Sequence, residues 1–464
     1  MLIRSTTKRY RNIKDLSIII SCGKLLFVVV LSLGLSVVSA ETLQEVVDYT
    51  VHNSPDVGAT AADRRAVEQE IEQARAGYFP RIDLDVGYGH ESTNNPGTRA
   101  RRRAIGFDTG TQSQAREELG LMLDQMIFDG FLTKNEVRRH TSRTNSRAHT
   151  VHGQAEIDSL NAVRAYLNLQ RRAELVGLAD ENLEIHRRTN DQVLLRSEQG
   201  VGRQADSEQS SARLSRAETN IIAEKGNYQD ETANFIRVVG RVPSELEEAY
   251  NPSEALPANV EDAVQLAIAN HPTIKSATAD IESAYAQRDT AKAPYYPRLN
   301  LEVGARHDRD IDGQIGDDEH WSAMLRLRYN LFNGGRDKAR INETGQQIDQ
   351  AKSIRDSAVR QVEQSTRLSW DAYDTATKQL HFFEKNRDAT IKTHSAYKQQ
   401  FKLGQRTLLD LLDSANEMFV SKSDFVNAKY DELFAMYRIL ASMGMVHSTL
   451  GVELPEETAL ISAK

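Results

Sequence analysis

Hydrophobic and polar positions along the chain follow two different periods. Leu299, Leu301, Val303 and Ala305 alternate with Asn300, Glu302, Gly304 and Arg306, the period of two that gives a strand one apolar face. His320 to Phe332 sets Trp321, Ala323, Leu325, Leu327, Tyr329 and Leu331 against Ser322, Met324, Arg326, Arg328 and Asn330. Ile82, Leu84, Val86 and Tyr88 alternate with Asp83, Asp85, Gly87 and Gly89, and 118–128 repeats the pattern more weakly. Strands of about ten residues, apolar on one face and charged on the other, fit tilted transmembrane strands around a wet lumen. A soluble sheet lying on helices is the competing reading. Aromatics at the strand ends (Tyr78, Phe79, Phe128, Tyr295, Tyr296, Phe332) favour the membrane, where they suit an interfacial girdle. Elsewhere the period lengthens. Residues 133–197 and 337–402 hold no proline, and stripes such as Ala162, Ala165, Tyr166, Leu169 and Leu368, Ala372, Tyr373 recur at helical spacing. At about 1.5 Å per residue these stretches predict rods of about 95 Å. Polar residues fill their remaining faces, so the rods must pack side by side in a bundle or α-barrel.

The pattern occurs twice. Leu43 to Pro55 aligns with Val260 to Pro272, and at unchanged spacing Tyr78-Phe-Pro-Arg-Ile82 falls on Tyr295-Tyr-Pro-Arg-Leu299. Ile127 to Gly130 matches Leu331 to Gly334, Gly200 and Asp206 match Gly404 and Asp410, and Pro243 matches Pro455 more loosely. The halves are 41–252 and 253–464, each reading helix, strand pair (81–90 with 118–128; 298–306 with 320–332), then long helices. Four strands cannot close a barrel, for which about eight is the minimum, and lipid tolerates no open sheet edge. The barrel must be shared: two chains give eight strands, three give twelve.

Composition narrows the class. The chain has 464 residues, 39% apolar, with mean hydropathy −0.53, which excludes a polytopic helical membrane protein. A net charge of −8 argues against nucleic acid as a partner. The one cysteine, Cys22, offers neither a disulfide framework nor a thiolate metal site. Residues 1–40 read as a signal peptide: basic residues from Arg4 to Lys24, an apolar stretch from Leu25 to Val38 too short to span, and small residues before Glu41. Cys22 precedes the apolar stretch, whereas a lipid-modified cysteine would follow it.

The whole mature chain resembles the TolC family of outer-membrane efflux ducts, in its duplication, strand pairs, long helices and Asn-x-Pro and Tyr-x-Pro anchors. The sharpest match is Phe401 to Ala415, which resembles the family's second periplasmic-tip motif; Gly200 to Asp206 resembles the first more loosely. The resemblance implies a homotrimer, mainly α with β, in which a twelve-stranded transmembrane β-barrel continues into an α-barrel of long coiled-coil helices. It also implies a periplasmic adaptor and an inner-membrane transporter as partners, with outer-membrane lipid around the barrel. The lack of a lipid-modified cysteine resembles the type I secretion branch. Asp410 and Asp413 are three apart, hence on one helix face. By resemblance they form the gate's aspartate ring, where repulsion among three copies raises their pKa values. Arg406 and Asp206 take the places of a salt bridge closing the tip. Phe401 stands where the family often has tyrosine and so lacks a hydroxyl bond. Gly200, Val201, Gly202, Leu403, Gly404 and Thr407 are adaptor-docking candidates by the same resemblance. From the residues alone, Thr407-x-x-Asp410 is a capping box and the glycines are helix ends.

Asp308-x-Asp310-x-Asp312-Gly313 with Glu319 fits the twelve-residue calcium loop, though it joins strands rather than helices. A solvated acidic loop, pairing with Arg99, Arg101, Arg102 and Arg103, is the alternative. No other cofactor is expected, and no catalytic constellation is visible: His52, His90, His140, His271 and His307 are scattered, and His140, His152 and His186 read as solvated. The reading is a passive exit duct for protein secretion or drug efflux, not an enzyme. A pore-less coiled-coil adhesin or periplasmic scaffold remains the alternative, which would not need paired strands with an apolar face.

Overall fold

The structure, a computed structural model, describes residues 40–462; the expected signal peptide lies outside them except for Ala40. The first half runs α1 (Leu43–Asn53), α2 (Pro55–Arg75), β1 (Arg81–Thr93), α3 (Pro96–Ala104), β2 (Gln112–Phe128), α4 (Leu132–Glu198) and α5 (Gln204–Val239). The second runs α6 (Val260–Asn270), α7 (Pro272–Ala291), β3 (Arg298–Arg309), β4 (Asp317–Arg328), α8 (Arg336–Lys402), α9 (Leu408–Ser442) and α10 (Val446–Leu450).

Two helices, not one, precede each strand pair. Ser54 ends α1 through its N–H to Thr50 O (2.8 Å), while its hydroxyl accepts from Asp56 and Val57 to start α2 at Pro55. His271 and Pro272 repeat this break, with His271 Nδ1 accepting from Thr273 N–H (3.2 Å). A proline at the first helical position gives up no hydrogen bond there. Helix α3, inside the β1–β2 connection, was not expected; Asn95 and Thr98 cap it reciprocally.

The long helices α4 and α8 each span 67 residues, about 100 Å. Each starts after two residues in the left-handed region, Gly130 and Phe131 (φ 73° and 67°), then Gly334 and Gly335 (φ 71° and 83°). At Gly130 a Cβ would come within 2.6 Å of Ala293 O, so glycine is required by space as well as by φ. Helix α4 packs on α5, α2, α7 and α9; α8 packs on α9 and α7. Their middle stretches enclose the main core, with Tyr166, Phe235, Tyr437, Leu440 and Met443 fully buried. Tyr166 shares its hydroxyl proton between Glu41 O (2.9 Å) and Glu247 O (2.6 Å), and Tyr437 donates to Tyr250 O (2.8 Å). Among the described residues no helix is long and apolar enough to cross a membrane.

The four strands form one antiparallel sheet, ordered β1-β2-β3-β4. Its register stacks Leu299 on Leu327, Leu301 on Leu325, Val303 on Ala323 and Ala305 on Trp321. The same face continues through Leu121 and Leu123 of β2 to Leu84 and Ile82 of β1. The strands differ in extent from expectation. β1 and β2 run further, to Thr93 and from Gln112, because they pair along their whole length. β4 ends at Arg328, so Tyr329, Leu331 and Phe332 follow the strand instead of belonging to it. There the Asn330 side chain accepts from Phe332 N–H (3.1 Å) and turns the chain toward α8.

Candidate functional site: the helix-turn tips and the sheet

At the end remote from the sheet each helix pair closes in a short turn. The α4–α5 turn holds Gly200 at φ 77°, with the N–H groups of Val201 and Gly202 both donating to Arg196 O (3.0 Å). The α8–α9 turn holds Gly404 at φ 73°, with Gln405 N–H donating to Gln400 O (2.9 Å). These bonds satisfy the last helix carbonyls and leave Val201 and Leu403 turned outward, 81% and 72% exposed. Thr407 starts α9 as a capping box: its hydroxyl accepts from Asp410 N–H (3.2 Å), and Asp410 accepts from the Thr407 backbone and hydroxyl (3.3 and 2.9 Å).

The chain brings some of the expected tip residues together and keeps others apart. Phe401 packs on Val193, Leu408 and Leu412, with the Arg196 guanidinium 5.4 Å from its ring centre. The ring without a hydroxyl therefore binds the ends of α4, α8 and α9 through packing. The expected Arg406–Asp206 salt bridge does not form within the chain. Arg406 folds back on its own helix end, stacked 4.2 Å over Tyr397, bonded to Gln400 Oε1 (3.0 Å) and 3.8 Å from Asp410. Asp206 sits in the first turn of α5, where a carboxylate suits the helix dipole. Asp413 is not a free ring carboxylate either: it accepts from Arg213 of α5 at 2.7 Å. The expected upward pKa shift is reversed for Asp410 inside one chain. Hydrogen bonds from the Thr407 side chain and then its backbone hold Asp410 below the ordinary carboxylate range.

In the acidic loop the four carboxylates expected to converge lie apart. Asp308 and Glu319 lie within paired strands, Asp308 held by Arg306 (2.9 Å) and Glu319 beside His307 (3.5 Å). Asp310 instead accepts from Gly316 N–H (2.8 Å) and closes the turn, while Asp310 and Asp312 take φ of 55° and 56°. Among the described residues these four carboxylates form no group with converging donor atoms. Arg101 does reach this loop, but it donates to Gly313 O (2.7 Å) and not to a carboxylate. The histidines read as solvated are not: His186 is buried, and His140 is bonded to Glu70 at 2.7 Å. His152 stands beside buried Glu156.

The sheet's apolar face has no cover. Trp321 is 77% exposed, and Leu84, Val86, Leu325 and Leu327 are similarly bare. Charge collects on the opposite face, where Glu302 accepts from Arg326 (2.7 Å) and Arg328 (2.8 Å), and Arg306 donates to Glu118 (2.6 Å). Beyond Trp321 the apolar face itself becomes ionic, with Arg309 bound to Asp317 (2.7 Å) and near Glu117 (3.4 Å). An apolar band that ends in ion pairs marks the edge of a lipid layer. A family model described as "Outer membrane efflux protein" matches residues 46–241 and 263–445.

The chain belongs to the outer membrane efflux protein family.

The two matched blocks fall in the two structural halves. Outer membrane efflux protein BepC of Brucella suis biovar 1 (strain 1330) is 25% identical over 427 residues, 90% of each chain. Outer membrane protein TolC of Escherichia coli (strain K12) is 21% identical over 429 residues, 89% of this chain and 84% of that protein. Alkaline protease secretion protein AprF of Pseudomonas aeruginosa is 20% identical over 407 residues, 85% of this chain and 83% of that protein. The fold is also that of the Campylobacter jejuni CmeC outer membrane channel, with TM-score 0.71 at 16% identity, covering 90% of this chain and 88% of that one. Membership in this family makes the protein an outer-membrane exit duct, and sets aside the pore-less adhesin or scaffold. Members of the family are channels rather than enzymes.

Proposed function

We propose that three copies join edge to edge, β4 of one against β1 of the next, to close a twelve-stranded barrel continued by twelve long helices. One observation carries this reading: the sheet has two unpaired edge strands and a bare apolar face. In lipid every backbone donor and acceptor needs a partner, and three sheets of four strands supply both the partners and a lumen. The Glu302–Arg326–Arg328 and Arg306–Glu118 ion pairs then line that lumen and keep it wet.

The duct is passive. An inner-membrane transporter supplies the energy, and a periplasmic adaptor docks on the tips at Gly200, Val201, Gly202, Leu403, Gly404 and Thr407. Exposed Val201 and Leu403 provide the apolar contact. Asp410, ionised and exposed at the start of α9, is the gate residue. Opening must loosen Phe401 and the Arg213–Asp413 pair, which fasten α9 to its neighbours. The residues favour neither large proteins nor small drugs as cargo, because cargo choice lies with the transporter. Native mass spectrometry of the detergent-extracted outer-membrane species tests the assembly. A trimer is expected; a folded monomer would leave four strands unable to span and would overturn the reading.

A further inference from the structure

The middle of α4 meets α10 at a buried group outside both the tips and the sheet. His447 Nδ1 lies 2.9 Å from Glu156 Oε1, and His152 Nε2 lies 3.7 Å from the same oxygen. The three donor atoms sit within 4.8 Å of one another, with Glu156 and His447 buried and His152 half-buried.

The surrounding hydrogen bonds fix which atoms carry lone pairs. The Ser159 hydroxyl gives its proton to Ala155 O (2.8 Å), so it accepts from His447 Nε2–H (2.9 Å). In the neutral ring His447 Nδ1 then carries a lone pair pointing at a carboxylate oxygen. Two acceptors at 2.9 Å repel unless something positive lies between them. Glu156 turns its Oε1 to both imidazoles. Its other oxygen accepts from Val446 N–H (3.2 Å). The positive centre is therefore either a proton on Nδ1 or a cation held by Nδ1, Oε1 and the third lone pair on His152.

We propose that His152, Glu156 and His447 form a binding site for a divalent transition-metal ion of the zinc, copper or nickel class. Bonds of about 2.0–2.2 Å to nitrogen and oxygen place ligands roughly 3–3.5 Å apart, a spacing that the observed 2.9 and 3.7 Å bracket. Ser159 on the far nitrogen of His447 and Val446 N–H on the far oxygen of Glu156 are the outer partners that orient metal ligands. A cleft of about 480 Å³, lined by Glu156, His149, Gln154 and His271, reaches the group on the Glu156 side. Arg438 also lines this cleft, which disfavours a hard ion held by charge alone. Two imidazoles and one carboxylate select a borderline ion over calcium or magnesium. Binding exchanges the Nδ1 proton for the ion and staples α10, near the end of the second half, to α4 of the first.

The test uses untagged full-length protein, extracted in detergent and stripped with chelator. Titration with Co²⁺, followed by its visible d–d absorption, and with Zn²⁺ by calorimetry is expected to show one saturable ion per chain. His152→Ala, at the rim, should lose more affinity than the roughly 10–100-fold that follows loss of a supporting partner. The exposed control His381→Ala should bind as the parent does. Copper electron paramagnetic resonance on the unmutated protein adds a readout free of folding effects, with hyperfine coupling to two imidazole nitrogens expected. Absence of a saturable ion, unchanged binding in His152→Ala, or a copper signal without two-nitrogen coupling would each overturn the site and leave the pair joined by a proton alone.

Discussion

The collar of helices around Tyr166 and the four-stranded sheet show how differently one chain can finish two parts of itself. In the collar a single chain buries its large side chains completely: Tyr166, Tyr437 and Leu440 have no accessible surface, and both tyrosine hydroxyls find carbonyls. In the sheet the same chain leaves its apolar face bare and its two outer edges unpaired. The collar is a core in the ordinary sense, completed within the chain. On the assembly proposed above, the sheet is half of an interface whose other half is lipid and neighbouring copies. Substitutions in the two regions should therefore act through different equilibria, folding in one case and insertion or assembly in the other.

The largest expected effect lies in the collar. Tyr166→Ala removes a fully buried ring and leaves Glu41 O and Glu247 O without their shared donor, a loss of about 3–5 kcal/mol by analogy with buried aromatic truncations. Tyr166→Phe keeps the ring and should cost about 0.5–1.5 kcal/mol for the lost hydrogen bonds, because Glu41 O keeps the Glu247 N–H (3.0 Å) and Glu247 O keeps the Gln170 amide. Chemical unfolding followed by circular dichroism reads both. A Tyr166→Ala protein as stable as its parent would mean that the collar core is not complete within the chain.

Next comes the sheet. Leu325→Arg should cost about 2–4 kcal/mol near the middle of the lipid band while leaving helix content unchanged. In a soluble protein, a residue as exposed as Leu325 would change stability by less than about 0.5 kcal/mol. Heat-modifiable trimer on gels and the outer-membrane fraction are the readouts. Normal insertion of Leu325→Arg would remove the contrast between the two regions.

The contrast was partly visible in the residues. Alternation from Leu299 to Ala305 and from Trp321 to Leu327 marked the strands and their apolar face, because period-two patterning survives in any half-exposed sheet. The repeat set Gly200 opposite Gly404, and both take the left-handed conformation of a helix end. Pairings across the fold were not visible. Arg213 with Asp413 joins residues 200 apart, and Arg406 chose Tyr397 and Gln400 on its own helix end over Asp206. The acidic loop shows a related limit: Asp308 and Glu319 have the spacing, and strand pairing sets them beside Arg306 and His307. His152 and Glu156 carried a local signal, four apart on one helix face. Their partner His447 lies 291 residues beyond Glu156.

A smaller effect belongs to the tip, which lies between the two extremes. Phe401 is only partly buried on Val193, Leu408 and Leu412, so Phe401→Ala should cost roughly 1–2 kcal/mol, below the range for full aromatic burial. The loss is local to the ends of α4, α8 and α9. Single-channel recording should show longer open times with unchanged trimer stability. Loss of the trimer itself would mean that the tip is completed by other copies.

The smallest effect sharpens the same question through pH. Within the chain, Thr407 holds Asp410 below the ordinary carboxylate range. A depressed folded-state value contributes stability that is present above the unfolded pKa, about 3.9, and is lost as pH falls through the lower folded value. If one chain sets the tip's chemistry, Asp410 stays ionised and cation selectivity persists below the ordinary carboxylate range, with Thr407→Ala moving the transition upward. If three aspartates crowd one another on the axis, repulsion overrides the Thr407 bonds, and selectivity fades above that range as the pH falls. Reversal potentials measured in parent and Thr407→Ala channels across that range separate the two cases. A transition above the ordinary carboxylate range that Thr407→Ala leaves unmoved would show that the gate takes its properties from the assembly. A transition below the ordinary carboxylate range that shifts upward on losing the cap would place the tip with the collar, as chemistry one chain completes alone.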